Sequence, residues 1–506
     1  MLSLYDEGPF PPCPAPFNLA AHVLSAGAAT PQKEALVIAS HDKVEIWTFG
    51  QIVSAVRGIA TGLLAAGVRP GDRVLMRLGN TVEFPLSFLG ALTAGLVPVP
   101  TSAALTELET QTIIEMTSPQ AVLHDPRVPC PYHERRYDLK TLAGWHTLPN
   151  APYEMADPDR PGYIIFTSGT TGTPRAVEHA HRAIWARQMM FDGWYDLHPS
   201  DRMLHAGAFN WTFTLGTGLL DPWTVGATAI IPGAGTDSKT LGQLLLSSKP
   251  TLFAAAPGVY RQVLNQHTTL DCPELRHGLS AGEKLPPRTL DRWRTATGTE
   301  IYEAFGLSEC STFISQKPGR TASSGTLGRP QKGRRVALLR DGAPVPVGEE
   351  GTIAVGRNDP GLMRGYLGQP EAIEGDWFLT GDQAVMDANY SITYAGRGDD
   401  MMNAGGFRVS PVEVERVLGA VEGVEAVAVA TVQIKEDTAI IAAFYTGPTA
   451  LDAADLRAYA DQTLARYKQP RVFLHLPELP TGPNGKILRR ALPAIFERHH
   501  GTNHQA

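Results

Sequence analysis

Thr167 to Arg175 reads Thr-Ser-Gly-Thr-Thr-Gly-Thr-Pro-Arg and follows directly on the apolar run Tyr163-Ile164-Ile165-Phe166. That run has the length and composition of a buried strand. Glycines at 169 and 172 let the chain turn sharply and let a ligand approach the main chain. Hydroxyls of Thr167, Ser168, Thr170, Thr171 and Thr173 add donors without bulk. Backbone N–H groups and hydroxyls together suit the oxygens of a polyphosphate. A Ser/Thr/Gly cluster is also the ordinary composition of a polar surface loop. The segment is not a Walker A loop, because no Lys-Ser/Thr follows Gly172. Nor does a Gly-x-Gly-x-x-Gly dinucleotide fingerprint follow a strand elsewhere in the chain.

Five further segments carry residues able to do chemistry. Ala304-Phe305-Gly306-Leu307-Ser308-Glu309 joins an aromatic ring, a hydroxyl and a carboxylate. A flat ring accepts a purine face, and a hard carboxylate oxygen suits Mg²⁺. Gly282-Glu283-Lys284 lies just upstream, Phe378-Leu-Thr-Gly-Asp382 and Tyr394-Ala-Gly-Arg397 downstream. A carboxylate such as Asp382 is a natural acceptor for a vicinal diol. Near the C-terminus, Thr481-Gly-Pro-Asn-Gly-Lys486 places a lysine on a glycine-rich turn.

Taken in order, these segments resemble those of the acyl-adenylate-forming superfamily, which includes acyl-CoA synthetases, luciferases and peptide-synthetase adenylation domains. The resemblance covers nearly the whole chain. It implies that Thr167, Ser168, Gly169, Thr170, Thr171 and Gly172 cradle the pyrophosphate of ATP, with Thr170 and Glu309 holding Mg²⁺. Gly282, Glu283, Lys284, Ala304, Phe305 and Gly306 would line the adenine, Ser308 would contact phosphate, and Asp382 and Arg397 the ribose. Lys486 would bridge the substrate carboxylate and the α-phosphate. A mobile point charge fits that role, since negative charge builds on the pentavalent phosphorus. Asp399 matches the family's hinge, and Gly405-Gly406 the loop along the pantetheine tunnel of CoA.

Departures from the family pattern are local. Arg175-Ala176 stands where the family has Lys-Gly, Phe305 for Tyr, Ser308 for Thr, and Asn403 where Lys is frequent. Phe209-Asn210-Trp211-Thr212 resembles the family's acyl-pocket segment, which runs on to Asp221-Pro222-Trp223, and places Trp211 at the gating position. A tryptophan wall shortens a pocket by its volume. The expected reaction is ATP-dependent activation of a small-to-medium or aromatic carboxylic acid through acyl-AMP, with transfer to CoA. Transfer to a carrier-protein pantetheine is the alternative acceptor; no carrier domain follows Ala506, which favours CoA. A non-catalytic nucleotide-binding protein of the same fold is the other alternative, and retention of Glu309, Asp382, Arg397 and Lys486 argues against it.

Composition sets outer bounds. The 506 residues exceed what one core serves, so two or more domains are expected. With 43% hydrophobic and 19% charged residues the chain reads as globular. A net charge of -7 argues against general nucleic-acid affinity. Met1 to Phe17 lacks the basic-then-apolar order of a signal peptide. Apolar stretches such as Phe88 to Val99 are too short for a membrane span. Four cysteines without paired spacing indicate neither a zinc site nor a disulfide framework. A cytoplasmic location is the default, and the oligomeric state is not legible.

The elements that must position these groups follow from periodicity. Phe49 to Ala66 and Thr81 to Ala94 read as helices. Arg73 to Arg77, Val97 to Val99 and Ala121 to His124 read as strands. Such alternation predicts α/β layers with parallel pairing over about the first 330 residues. Gly325 to Tyr394 changes to glycine-rich alternating runs, predicting a β-rich subdomain. Ser410-Pro-Val-Glu413 is a helix start with Ser at the N-cap and Pro at the first position. Strand-like runs at 425–432 and 438–445 and a helix around 453–466 complete a small α+β domain. The expected architecture is therefore a large N-terminal domain, 1–396, of layered α/β sheets with a β-rich subdomain. A hinge at 397–400 joins it to a mobile C-terminal domain, 397–506.

Overall fold

The computed structural model describes residues 1–506 except 41–43, 168–173, 234–235, 237, 321–324, 370–372, 399–401, 405–406, 436–437, 465, 483–485 and 502–506. Strand-then-helix order produces two parallel layers. In the smaller, Val97–Pro100, Arg73–Arg77, Ala121–His124 and Arg136–Asp138 lie side by side, all parallel. In the larger, nine strands run in the order Arg329–Pro330, Ser311–Ser315, Glu300–Leu307, His277–Ala281, Leu252–Ala255, Arg202–His205, Thr228–Pro232, Glu34–Ala39 and Val44–Thr48. The six in the middle are parallel, and the outer three pair antiparallel. Parallel strands covered on both faces are apolar throughout, as in Leu252–Ala255, where all four residues are buried.

The helix Phe49–Ala65 begins where predicted because Thr48 and Gln51 form a capping box. Its buried positions Phe49, Ile52, Val56, Ile59 and Leu63 recur every three or four residues and face the helix Glu83–Thr93, which is buried along its length. Gly90 permits the close crossing: a Cβ there would lie 2.7 Å from Ile59 Cγ2.

From Arg335 onward a seven-stranded antiparallel sheet forms the expected β-rich region. Its edge comes from an unexpected place, since Leu4–Asp6 of the proline-rich N-terminus pairs with Arg335–Ala337. The C-terminal α+β unit pairs Ala426–Lys435 with Thr438–Thr446 antiparallel, and Val472–His475 adds a parallel strand. The helices Pro411–Leu418 and Ala453–Thr463 accompany this sheet, the second ending before 466 because Leu464 is already extended. Ser410 caps the first as predicted, its Oγ accepting from Glu413 N at 3.2 Å. The same hydroxyl donates to Ala395 O, tying this unit to the strand Ile392–Arg397. No helix among the described residues is long and apolar enough to cross a membrane.

Candidate active site

Pro161–Thr167 and Arg175–Ala180 form an antiparallel hairpin with Thr167 opposite Arg175. The hydroxyl-rich segment joins these two strands in sequence, and Ser168, Gly169, Thr170, Thr171 and Gly172 lie outside the described residues. A third strand, Gly365–Tyr366, pairs with the return strand. That pairing places the Tyr366 ring 5.2 Å beneath the Arg175 guanidinium. The Tyr366 hydroxyl donates to Glu309 Oε1 at 2.8 Å. Burial and then the Glu309 charge push its pKa up to about 12, so at neutral pH it is a protonated donor. Arg175 thus reaches Glu309 through one aromatic ring.

Glu309 sits on the turn between Glu300–Leu307 and Ser311–Ser315. The register shifts between Phe305 and Gly306, and a Cβ on Gly306 would lie 2.3 Å from Ser311 O. Only glycine lets the two strands approach there. Ser308, half-buried, has its carbonyl bonded to His179 Nε2 at 2.7 Å. The Phe305 ring meets Phe313 edge-on at 5.5 Å and Tyr394 at 5.8 Å, while Ala304 is buried.

Gly282 follows the neighbouring strand with φ +96°, a conformation that favours glycine. Beyond it, Lys284 Nζ donates to Gly325 O at 3.0 Å. Leu285 N donates to Glu303 Oε1 at 2.7 Å, so a buried carboxyl anchors the 282–285 turn against the strand of Phe305. Burial is the main force on Glu303 and raises its pKa to about 7. The folded state therefore holds a proton that the unfolded state, titrating near the ordinary glutamate value, has released. Stability from this group is fully present below about pH 4.5 and is lost as pH rises through about 7. Glu303→Gln is expected to flatten the fall between pH 5 and 8, worth on the order of 3 kcal/mol, in urea unfolding curves.

Asp382 is 3% exposed and lies opposite Arg397 across two antiparallel strands. Tyr394 OH donates to Asp382 Oδ1 at 2.8 Å, and Arg397 Nη1 stands 3.7 Å from Oδ2. Burial and then the Asp382 charge hold the Tyr394 hydroxyl well above its ordinary value.

Lys486 is exposed on a turn closed by the Thr481–Ile487 bridge and by Gly482 N donating to Lys486 O at 2.8 Å. The Glu283 carboxylate feels the Lys486 charge and, less strongly, the Ile487 backbone N–H. Burial raises the Glu283 pKa, and the Lys486 charge is the foremost opposing influence. The last sequence segment thus comes near the 282–284 segment, some two hundred residues earlier in the chain. Asp399, Gly405 and Gly406 lie outside the described residues, as does the side chain of Asn403.

Trp211 stands against Gly282, whose Cβ would lie 3.1 Å from the indole, and meets Phe213 edge-on at 5.2 Å. His205 packs on Phe213 at 4.4 Å, and burial lowers its pKa to about 3. Tyr366, Glu303 and His179 had no role in the sequence reading, and Tyr394 was only part of a quoted motif. Period-two counting back from Arg397 reaches Ala395, and only the register shift between Gln383 and Ala384 turns Tyr394 toward Asp382. Tyr366 offers no such signal, because its strand is two residues long.

Residues 24–367 match the AMP-binding enzyme family, and residues 413–486 match the AMP-binding enzyme C-terminal domain. The chain is 28% identical to the human mitochondrial acyl-coenzyme A synthetase ACSM2B, over 95% of this chain and 91% of that protein. It is 29% identical to the benzoate–CoA ligase of Thauera aromatica, over 88% and 90% respectively. The crystal structure of the anthranilate CoA ligase AuaEII in complex with anthranoyl-AMP superposes with a TM-score of 0.86 at 26% identity, covering 96% of this chain and 98% of that one.

Proposed function

This chain belongs to the AMP-binding enzyme family, and from that premise we propose that it is an AMP-forming carboxylate–CoA ligase acting on a small-to-medium or aromatic acid. The observation that carries the reading is the approach of the Lys486 charge to Glu283. It brings the Lys486 cation to the end of the strand His277–Ala281, whose neighbour Glu300–Leu307 carries Phe305 and leads into Glu309.

In the first half-reaction the acid's carboxylate attacks the α-phosphorus of ATP, pyrophosphate leaves, and acyl-AMP forms. A carboxylate is already ionised at neutral pH, so no general base is required. Catalysis is positioning plus neutralisation of charge on the phosphates. Lys486 supplies that charge between carboxylate and α-phosphate. Asp382, oriented by Tyr394, accepts from the ribose hydroxyls, and Phe305 offers its face to the adenine. We place the pyrophosphate at Thr167 to Gly172 and the hinge at Asp399. The C-terminal unit then turns to admit CoA past Gly405 and Gly406. In the second half-reaction the thiol attacks the acyl carbon, the bond to AMP breaks, and AMP leaves.

Mg²⁺, when bound, adds positive charge against the phosphates. Glu309 fits as its ligand together with Thr170, since Tyr366 fixes one carboxylate oxygen and the other is a hard donor. Tyr366→Phe is expected to raise the Mg²⁺ concentration for half-maximal rate roughly tenfold, because partners that orient a ligand tune metal affinity. A metal titration at saturating ATP checks this.

The activity itself is tested by a carboxylic-acid panel spanning chain lengths and aryl acids, scored by AMP release with CoA present. AMP formed only when an acid is added supports the ligase. AMP formed with none of the acids overturns it.

A further inference from the structure

Beside Ser308 lies a small cavity of about 20 Å³, room for one water or one hydroxyl, bounded in part by Leu19, Ile184, Leu215 and Leu220. Its other lining is polar: Tyr163, His179, Arg187, Thr212, Ser308 and Ser311. A cavity meant for a plain hydrocarbon tail has no use for such groups, since burying them is unfavourable.

Arg187 is 6% exposed and fixed in place. Its Nε and Nη2 fork onto Asp221 at 2.7 and 2.6 Å, and Tyr195 OH also donates to Asp221 at 2.7 Å. The fork neutralises both charges. Nη1 donates to Ser311 Oγ, which leaves the second Nη1 hydrogen without an acceptor among the described residues. Ser311, acting as acceptor for Arg187, has its own hydroxyl proton to give. Gly216 makes this arrangement possible, because a Cβ there would lie 2.2 Å from the guanidinium carbon.

Across the cavity His179 is 2% exposed and stacks on Tyr163 with ring centroids 4.9 Å apart. Burial, above all, lowers its pKa to about 4, so the ring is neutral at pH 7. With Nε2–H donating to Ser308 O, Nδ1 is a bare acceptor, and it has no partner among the described residues. The cavity therefore presents fixed donors, at Arg187 and Ser311, and one buried acceptor, at His179. A hydroxyl both accepts and donates, and it satisfies both sides at once.

Resting on the ligase reading above, we propose that this cavity selects carboxylic acids carrying a hydroxyl on the tail, received by Arg187, Ser311 and His179. Buried groups left unpaired by the analogue lacking a hydroxyl give the discrimination.

The test uses matched acids with the full-length enzyme: 2-, 3- and 4-hydroxybenzoate against benzoate, and 5- and 6-hydroxyhexanoate against hexanoate. At least one hydroxy acid is expected to exceed its parent by about tenfold or more in kcat/KM. In Ser311→Ala and His179→Phe that ratio is expected to fall to within about threefold. A ratio measured within one preparation is insensitive to how much protein is folded, which separates recognition from scaffolding. The same pairs are titrated by calorimetry without ATP. Parents equal to or better than every hydroxy partner in both measurements overturn the proposal, as does a preference unchanged in both variants. A hydroxyl preference in binding without AMP formation from any acid supports the cavity assignment and overturns only the ligase reading.

Discussion

Lys486→Ala is expected to lower the rate of acyl-AMP formation by roughly 10²–10³-fold, the usual effect of removing one preorganised group facing developing charge. Thioester formation from preformed acyl-AMP should stay within a few-fold of the unsubstituted enzyme. The asymmetry follows from the geometry. Lys486 is exposed, and its charge acts on the Glu283 carboxylate. Truncating the side chain removes that cation and leaves the backbone bond from Gly482 N to Lys486 O in place. Pyrophosphate exchange reads the first half-reaction, and CoA-dependent consumption of synthetic acyl-AMP reads the second. Equal losses in both would contradict the role given to Lys486.

Asp382→Asn should weaken productive ATP use by roughly 10²-fold in kcat/KM, because hydrogen bonds to a charged acceptor contribute about 1.5–3 kcal/mol each and the ribose offers two hydroxyls. The substitution keeps the volume, and one amide oxygen can still accept from Tyr394 OH. The charge facing Arg397 at 3.7 Å is lost. The melting temperature should therefore change by only a few degrees while the ATP dependence moves. A deoxy-ATP comparison sharpens the assay. The unsubstituted enzyme should discriminate ATP from 2′-deoxy-ATP, and the variant should lose most of that discrimination. An unchanged ratio would place the ribose elsewhere.

Much of the architecture was legible because its signals are local. Arg73–Arg77 and Ala121–His124 are short apolar runs punctuated by Gly, Pro or polar residues, and each is a strand of that extent. Phe49–Ala65 announces itself by a capping box, whereas the helix expected from Thr81 starts at Glu83, where no side chain caps it. The edge strand Leu4–Asp6 was invisible: three residues carry no period, and their partner lies some three hundred residues away. At the candidate site the ordered motifs were legible, but what holds them was not. Tyr366 reaches Glu309 across 57 positions, and Arg187 reaches Asp221 across 34. Hydrogen bonds between such distant residues leave no pattern in either segment taken alone.

The pairing of Leu4–Asp6 with Arg335–Ala337 also bears on how the chain is made. Leu4–Asp6 has no partner until the chain has grown past residue 337. Glu34–Ala39 finds Val44–Thr48 close by in sequence, but its other edge waits for Thr228–Pro232. At roughly 5–20 residues per second that interval is on the order of 20–70 s. Throughout it, apolar strand edges of the nascent large domain stay unpaired. Slow closure of this kind is expected to leave those edges open to pairing with other chains during synthesis.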